Sequence, residues 1–383
     1  MVGIDTVILT LKAHEFALLE PSRFTPHAGR ILGAEAVDMG RNKYFGATCN
    51  PSKQETAIHG YLPYLTLYRA LRGGGLVTEL RIQFSAPKML YGNNFDEPEE
   101  YEFGELCHRL LDALEVYKIK VRGGLRTIAD AQVATVHYSK NFVLTNYLSA
   151  RQAILDLQKS DVSAWRDVSQ TDYVNSGYGF KTHSKYHELA FYDKLAEYNK
   201  GKRGQPTFDT DRQMSFDFDK HAMRQPFEVL RMEVRFGNSK AIKRAFEQAR
   251  LPTDDLRFTT IFRQDFSQMV LEWHLQDHYS RYPKIAEATN VDLLELFGEL
   301  YMQNPGRRLS SIVNAVGIHA LAKDAGTRKL KDIVGPEGSQ ALLRLAKRAN
   351  RELRYKAEKS EVFELLAAAL DRFEPVHLHD FVK

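Results

Sequence analysis

Tyr192 stands near the end of the run Lys185-Tyr186-His187-Glu188-Leu189-Ala190-Phe191-Tyr192-Asp193-Lys194, where a phenol, two acids and a lysine crowd an apolar segment. A tyrosine oxygen can attack phosphorus when a nearby cation neutralises the charge that develops on the phosphoryl oxygens. Lys194 is placed to be that cation. Leu189, Ala190 and Phe191 have the half-buried character of a strand, and Leu195-Ala196-Glu197-Tyr198 continues as helix. Tyrosines at strand ends also serve as structural anchors, so this segment alone leaves both roles open.

Two more segments carry reactive groups on strand-like patterns. Gln132 to Tyr138 contains His137, and Glu228 to Phe236 alternates apolar and charged residues. Strand alternation puts Glu188, Ala190 and Tyr192 on one face and His187, Leu189 and Phe191 on the other; Arg231, Glu233 and Arg235 also share a face. If the three strands are neighbours, His137, Glu188 and Glu233 form a hard donor set suited to Mg²⁺ or Mn²⁺. Such an ion polarises a phosphodiester for attack by Tyr192, with Lys194 or Arg231 neutralising the oxyanion. The bland alternatives are an Arg-Glu-Arg ladder of cross-strand ion pairs and a structural histidine.

The elements that position these groups are strand-rich at first. Thr6 to Leu11, Tyr64 to Tyr68 and Glu79 to Phe84 read as strands, and Gly73-Gly74-Gly75 predicts an antiparallel turn between the last two. Glu102 to Tyr117 reads as an amphipathic helix, as do segments near Leu148 to Leu157 and Ser239 to Ala249, with a polar loop from Asn199 to Gln225. Beyond about residue 250 helical patterns take over: Phe266 to Leu275, Asp292 to Tyr301, Leu309 to Lys323, Ser339 to Tyr355 and Val362 to Phe373. No internal repeat or low-complexity tract is seen. The expected fold is α+β: a domain over 1–250 bearing the reactive strands, then a helical, basic domain over 251–383 for DNA binding or oligomerisation.

Composition narrows the class. The 383 residues are 43% apolar and 27% charged, ordinary for a globular protein, and suggest two or three domains. Cys49 and Cys107 are too few for a disulfide framework or a zinc ribbon, which suggests a reducing, cytoplasmic setting. No apolar run approaches a membrane span, and the first residues lack a signal-peptide layout. Net charge is only +4, but Tyr301 to Ser360 holds 13 Lys/Arg against five acids. That asymmetry points to a polyanion partner.

The segment Leu80-Arg81-Ile82-Gln83-Phe84-Ser85-Ala86-Pro87-Lys88-Met89-Leu90-Tyr91-Gly92-Asn93-Asn94 resembles the small-Pro-Lys-hydrophobic-hydrophobic-x-Gly-x-Asn segment of filamentous-phage gene II replication proteins. Later pieces follow in the same order. Thr135 to Asn141 lies where that family has a hydrophobic-Asp strand, Leu189 to Lys194 at its nicking tyrosine, and Leu230 to Arg235 at its Arg-x-Glu-x-Arg strand. The resemblance spans about Thr6 to Phe246; plasmid initiators and relaxases with a Tyr-x-Lys strand end are similar. It implies an antiparallel-sheet, HUH-like nicking domain, with duplicated βαβ units as one form of it. It also implies a metal-dependent rolling-circle initiator that nicks one strand of a duplex origin in a bacterial host cell. That enzyme stays on the 5′ phosphate through tyrosine, leaves a 3′-OH primer and rejoins DNA ends. The partners implied are double-stranded origin DNA, single-stranded DNA and host helicase or polymerase. One departure stands out: His137 occupies the place of the family's acid, which either alters the metal preference or weakens the site.

The last third offers two more features. Ala325 to Lys331 is a glycine-containing turn with Arg328 and Lys329, and Ser339 to Tyr355 carries Arg344, Lys347, Arg348 and Arg351 opposite Leu342, Leu345 and Ala349. With Arg231 and Arg235 these are the candidate DNA contacts; a phosphate-binding stripe positions DNA and carries little base information. A non-catalytic repressor or packaging factor using only these helices is the alternative reading. Val376-His377-Leu378-His379-Asp380 repeats a metal-binding His-hydrophobic-His pattern, but its place at the end predicts a frayed tail.

Overall fold

The computed structural model describes residues 1–26, 37–39, 42–72, 75–144, 148–160, 173–174, 179–184, 187–200, 227–248, 250, 255–283, 292–303, 305–352 and 360–380. The polar loop expected up to Gln225 falls outside them from residue 201 onward. The strands are β1 (Ile4–Lys12), β2 (Phe16–Leu18), β3 (Thr25–Pro26), β4 (Val37–Met39), β5 (Asn42–Cys49), β6 (Tyr64–Arg72) and β7 (Gly75–Ser85). They continue with β8 (Ile119–Val121), β9 (Gln132–Leu144), β10 (Tyr173–Val174), β11 (Gly179–His183), β12 (His187–Asp193) and β13 (Glu228–Phe236). The helices are α1 (Lys53–His59), α2 (Ala86–Tyr91), α3 (Phe103–Val116), α4 (Leu125–Ala129), α5 (Ala150–Leu157) and α6 (Lys194–Lys200). After them come α7 (Ser239–Gln248), α8 (Phe258–Ile261), α9 (Gln264–Tyr279), α10 (Leu293–Gln303), α11 (Leu309–Glu352) and α12 (Glu361–Arg372).

One antiparallel sheet organises most of these elements, in the order β10-β11-β12-β13-β9-β1-β7-β6-β5-β3, with β4 also on β5, while β2 and β8 pair separately. The order is a duplication that the sequence does not display. In one half the first strand, β1, lies at the centre, followed outward by β7, β6 and β5; in the other, β9 is followed by β13, β12 and β11. The two central strands pair with each other, Val7 opposite Val136 and Ile8 opposite Thr135. The repeated unit is thus a strand followed by a three-stranded antiparallel meander, in place of the expected βαβ unit. The expected antiparallel pairing of β6 and β7 is present up to Arg72 opposite Gly75; Gly73 and Gly74 lie outside the described residues.

Strand alternation divides the sheet into an apolar and a polar face. Val7, Leu9 and Leu11 of β1, Leu80, Ile82 and Phe84 of β7, and Val136 and Tyr138 of β9 are fully buried on the apolar face. Helices α3, α5, α7 and α9 cover that face, contributing Leu110, Ile154, Ile242, Phe266 and Leu271 to the same continuous core. The opposite face presents Thr6, Thr10, Gln83, His137, Glu188 and Tyr192. This is the face available for chemistry.

The hydrophobic clusters do not divide near residue 250. Phe266 and Leu275 of α9 and Val362, Phe363, Leu366 and Leu370 of α12 belong to the sheet's core. A separate cluster is formed by α10 and α11 alone, around Leu296, Leu300, Ile312, Ala322, Leu342 and Ala349. Within α11 the helix is broken at Gly326 (φ 73°) and Gly335 (φ 69°), where only glycine takes this backbone without strain. A Cβ at Gly326 would lie 2.8 Å from the Cα of Lys159, so this break also lets the helix meet the end of α5 closely.

The C-terminal segment is docked rather than frayed. Leu378 is buried with Phe95, Phe227 and Val229. The backbone N–H of Val376 donates to Glu97 at 2.9 Å and that of Leu378 to Asp96 at 2.6 Å. Glu97 is itself buried and bonded to Lys140 at 2.8 Å and to the Asn141 N–H at 2.5 Å. His377 meets the Tyr91 ring and stacks on His379, which is exposed and pairs with Asp380. The sequence reading missed this because the anchor, a buried Glu97–Lys140 pair, lies far away along the chain.

Because α9 and α12 belong to the sheet's core, Leu366→Ala should lower stability by about 2–5 kcal/mol in a urea titration. A chain cut after residue 251 should show no cooperative transition at all. A sharp transition for the truncated chain would show that the sheet's core closes without these helices.

Candidate active site

The polar face concentrates its charge on four adjacent strands. In register, Tyr192 of β12 lies opposite Arg231 of β13, Ala190 opposite Glu233, and Glu188 opposite Arg235. On the other flank of β13, Arg231 faces Asn141 of β9, Glu233 faces Ser139 and Arg235 faces His137. On the outer flank of β12, Glu188 faces His183 of β11 and Ala190 faces Lys181. Directly opposite residues share a face, so all of these project the same way.

Glu233 is the hub. Only 1% of it is exposed. Arg235 grips it through Nε at 2.8 Å and Nη2 at 2.9 Å, His137 Nδ1 lies 3.2 Å from Oε1, and the Tyr192 hydroxyl donates to Oε2 at 3.1 Å. These donors fill both carboxylate oxygens. Burial by itself would push this carboxyl up; the Arg235 guanidinium and the His137 imidazole overcome it and hold Glu233 well below the usual carboxylate range. Arg235 also reaches Glu188 at 2.9 Å, and Glu188 in turn meets His183 Nδ1 at 3.1 Å and Lys181 at 3.5 Å.

Tyr192 is pushed the other way. Burial, with Glu197 and Glu233 nearby, raises its phenol well above the ordinary value, only partly opposed by Arg231. It therefore holds its proton at neutral pH and donates it to Glu233. Lys194 is 1% exposed, lies 5.8 Å over the Tyr192 ring and pairs with Glu197 at 2.8 Å. Burial lowers the Lys194 ammonium, with Glu197 pulling upward.

Arg231 is not at the surface. It is 1% exposed, with Nη1 donating to the Asn94 carbonyl and Nη2 to Ser139 Oγ, both at 2.7 Å, and Asp5 at 3.5 Å. As it stands it braces the sheet against the 93–97 loop and reaches Tyr192 electrostatically, without offering its guanidinium as a DNA contact. A cleft of about 250 Å³ opens over this assembly, lined by Asp5, Ser85, Lys88, His137, Tyr192 and Lys194, among others. Asp5, Asn94, Lys181 and His183 were missed from sequence. The alternation of Gly179 to His183 was the available signal for the last two, and Asn94 closes the segment that resembles the gene II proteins; Asp5 had none.

Of the proposed donor set, His137 and Glu233 are together while Glu188 lies on the far side of Arg235. Among the described residues no three His, Cys, Asp or Glu side chains form a ready metal cluster. As placed, His137 bonds to Glu233 and both carboxylate oxygens are taken, so these two residues would hold Mg²⁺ or Mn²⁺ only by exchanging those hydrogen bonds for the ion. The distant basic residues divide. Lys329, Arg344, Lys347 and Arg348 are exposed, Arg328 is buried with its guanidinium 5.9 Å from the Phe180 ring, and the Arg351 side chain lies outside the described residues. Leu345, expected on the apolar side, is exposed.

The family model for the N-terminal part of the replication-associated gene II protein of phage matches residues 66–258. That interval contains β9, β12 and β13, hence His137, Tyr192 and Glu233. The chain belongs to this family of filamentous-phage gene II-type replication initiators. No curated protein and no solved structure matches it. As a member of a replication-initiator family the protein binds DNA, and no described helix is long and apolar enough to cross a membrane.

The Glu233 environment has a pH signature. A carboxyl depressed on folding stabilises above its unfolded pKa of about 4.3, and that stability is lost as pH falls through the lower folded value. In Arg235→Met the carboxyl loses its main partner. The stability gap between wild type and variant, read by urea unfolding, should be largest above about pH 5 and shrink toward about pH 3. A gap independent of pH would mean that Arg235 acts through packing alone.

Proposed function

We propose that the protein is a tyrosine-type DNA nickase and strand transferase that initiates rolling-circle replication, with Tyr192 as nucleophile. The observation that carries this reading is the hydrogen bond from the Tyr192 hydroxyl to a buried, ionised Glu233 in an open, cation-lined cleft. Ordinary structural tyrosines do not need a carboxylate held ionised by an arginine and a histidine. The phenol oxygen attacks the scissile phosphorus, forming the O–P bond while the bond to the 3′ oxygen breaks. The phenolic proton passes to Glu233 and from there to the departing 3′ oxygen, so the products are a 5′-phosphotyrosine link and a free 3′-OH. Reversal of the same proton path rejoins DNA ends.

Glu233 is a weak base in the free protein because its pKa is depressed. Its task is to hold the proton only briefly, and its placement against the hydroxyl makes that transfer short. Lys194, buried beside the Tyr192 ring, neutralises the phosphoryl oxygens. In this reading His137 and Glu233 would hold Mg²⁺ or Mn²⁺ once their mutual hydrogen bond is exchanged for the ion, which would supply Lewis-acid polarisation of the phosphate. Glu188 instead fixes Arg235 from the side away from the cleft. The exposed Lys329, Arg344, Lys347 and Arg348 of α11 supply phosphate contacts that position the duplex origin.

Incubation with supercoiled phage-origin DNA and Mn²⁺ should give a denaturant-resistant protein–DNA adduct. Tyr192→Phe should abolish it and Glu233→Gln should slow its formation by about 10²–10⁴-fold. An undiminished adduct from Tyr192→Phe removes Tyr192 from the role. For the ion, calorimetric titration of the intact protein with Mn²⁺ should show one site that His137→Ala weakens by at least about tenfold. Equal Mn²⁺ binding by wild type and His137→Ala would place the metal elsewhere.

A further inference from the structure

Most of the large apolar side chains exposed among the described residues lie on α10 and α11, the two helices that form a hydrophobic cluster of their own. The first part of α11 is apolar on two sides. Ile312, Ala315, Ile318 and Ala322 are buried in the cluster shared with α10. Leu309, Val313, Val316 and Ala320 recur at steps of four, three and four residues, which keeps them together on a second side of the helix. Leu309 is 55% and Val313 52% exposed, and Val316 and Ala320 are half-buried. A helix apolar on two sides ordinarily lies between two partners, and this one is covered on one side only. Gly317 stands beside the uncovered stripe, inside the helix and exposed. Beyond the helix's own backbone, nothing lies within 4 Å of where its Cβ would be. The chain itself therefore has no need of glycine at a position where it weakens the helix, but a bare backbone lets a second helix approach closely.

The charge pattern identifies what covers the stripe. No Lys, Arg, Asp or Glu occurs between Arg308 and Lys323. The stripe thus offers nothing to a phosphate and no charge for a charged partner to match. A copy of the same stripe meets it without electrostatic cost, because two-fold pairing sets equivalent surfaces together. The ends give the direction. Arg307 and Arg308 precede the stripe, and the exposed Asp324 follows it. Parallel pairing would bring the arginines of both copies together, whereas antiparallel pairing parts them and sets Arg308 of each copy toward the other's Asp324. We propose that the first part of α11 pairs antiparallel with the same helix of a second copy, through Leu309, Val313, Val316 and Ala320 around Gly317, making the protein a dimer. Lys329, Arg344, Lys347 and Arg348 lie beyond the break at Gly326, off the stripe, so the pairing does not cover them.

Sedimentation equilibrium of the full-length protein without DNA, from about 1 to about 100 µM, should show a concentration-dependent rise toward twice the chain's mass. Val313→Asp would bury an unpaired charge in the pairing and should weaken it at least about tenfold. Gly317→Arg should weaken it as much by bulk, while the melting temperature at low concentration stays equal or rises, since arginine is the better helix former. Those two readouts separate lost pairing from lost folding. Arg308→Asp should weaken the dimer by repelling Asp324, and adding Asp324→Arg should restore it. A monomer at every concentration overturns the proposal, as does a dimer that Val313→Asp and Gly317→Arg leave intact. Failure of the double reversal to restore the dimer overturns the antiparallel arrangement. In flotation with phosphatidylglycerol–phosphatidylcholine vesicles, a monomeric wild type that binds lipid where Val313→Asp does not overturns the dimer in favour of a lipid surface. None of these readouts involves cleavage, so the dimer stands or falls apart from the nickase reading.

Discussion

The buried carboxylate of Glu233 is the constraint on which the rest depends. A charge placed in the middle of a sheet is expensive unless it is paired and fully hydrogen-bonded. Arg235 and His137 meet that requirement, and each comes from a strand paired in fixed register. A slip of one residue between β9 and β13 would turn His137 into the core and leave the carboxylate exposed to apolar surroundings. The electrostatics of the site and the register of the sheet therefore enforce each other. Tyr192 enters the arrangement as the last donor, with its proton aimed at this carboxylate.

The same logic explains why so many charges lie beneath the site. Arg231 and Lys194 are almost wholly enclosed, yet each has a partner: the Asn94 carbonyl and Ser139 for the first, Glu197 for the second. Arg231 ties the 93–97 loop to β13. The neighbouring Glu97 in that loop is gripped by Lys140 and by the returning C-terminal segment. A chain of buried polar contacts thus runs from the end of the chain, through the loop, to the strand that carries Glu233. Docking the C-terminal segment and bracing the floor of the site are parts of one network.

Much of this was legible in the sequence because strand alternation is strict. It placed Glu188 and Tyr192 together and turned His187 away, and the structure agrees: His187 packs at 4.8 Å on His274 on the apolar face. The Arg-Glu-Arg alternation likewise proved to be both an ion-pair ladder and the frame of the site. What escaped was long-range. Charge alone suggested that Arg231 and Arg328 contact DNA, whereas tertiary contacts enclose both. Glu188 looked like a ligand because it shares a face with Tyr192, but register puts it across from Arg235 rather than beside His137. The duplicated strand order left no repeated motif, because only the order of strand pairing is repeated. The helices beyond residue 250 gave no sign of joining the sheet's core, since an amphipathic helix does not specify which surface it covers.

The central claim is that Tyr192 is the group whose oxygen bonds to phosphorus. Mass spectrometry of the proteolysed protein–DNA adduct tests it most directly. The account predicts a nucleotide attached to the peptide containing Tyr192, with fragmentation placing the phosphate on its phenol. A phosphate on any other residue, Tyr61, Tyr64 or Tyr68 included, would contradict it.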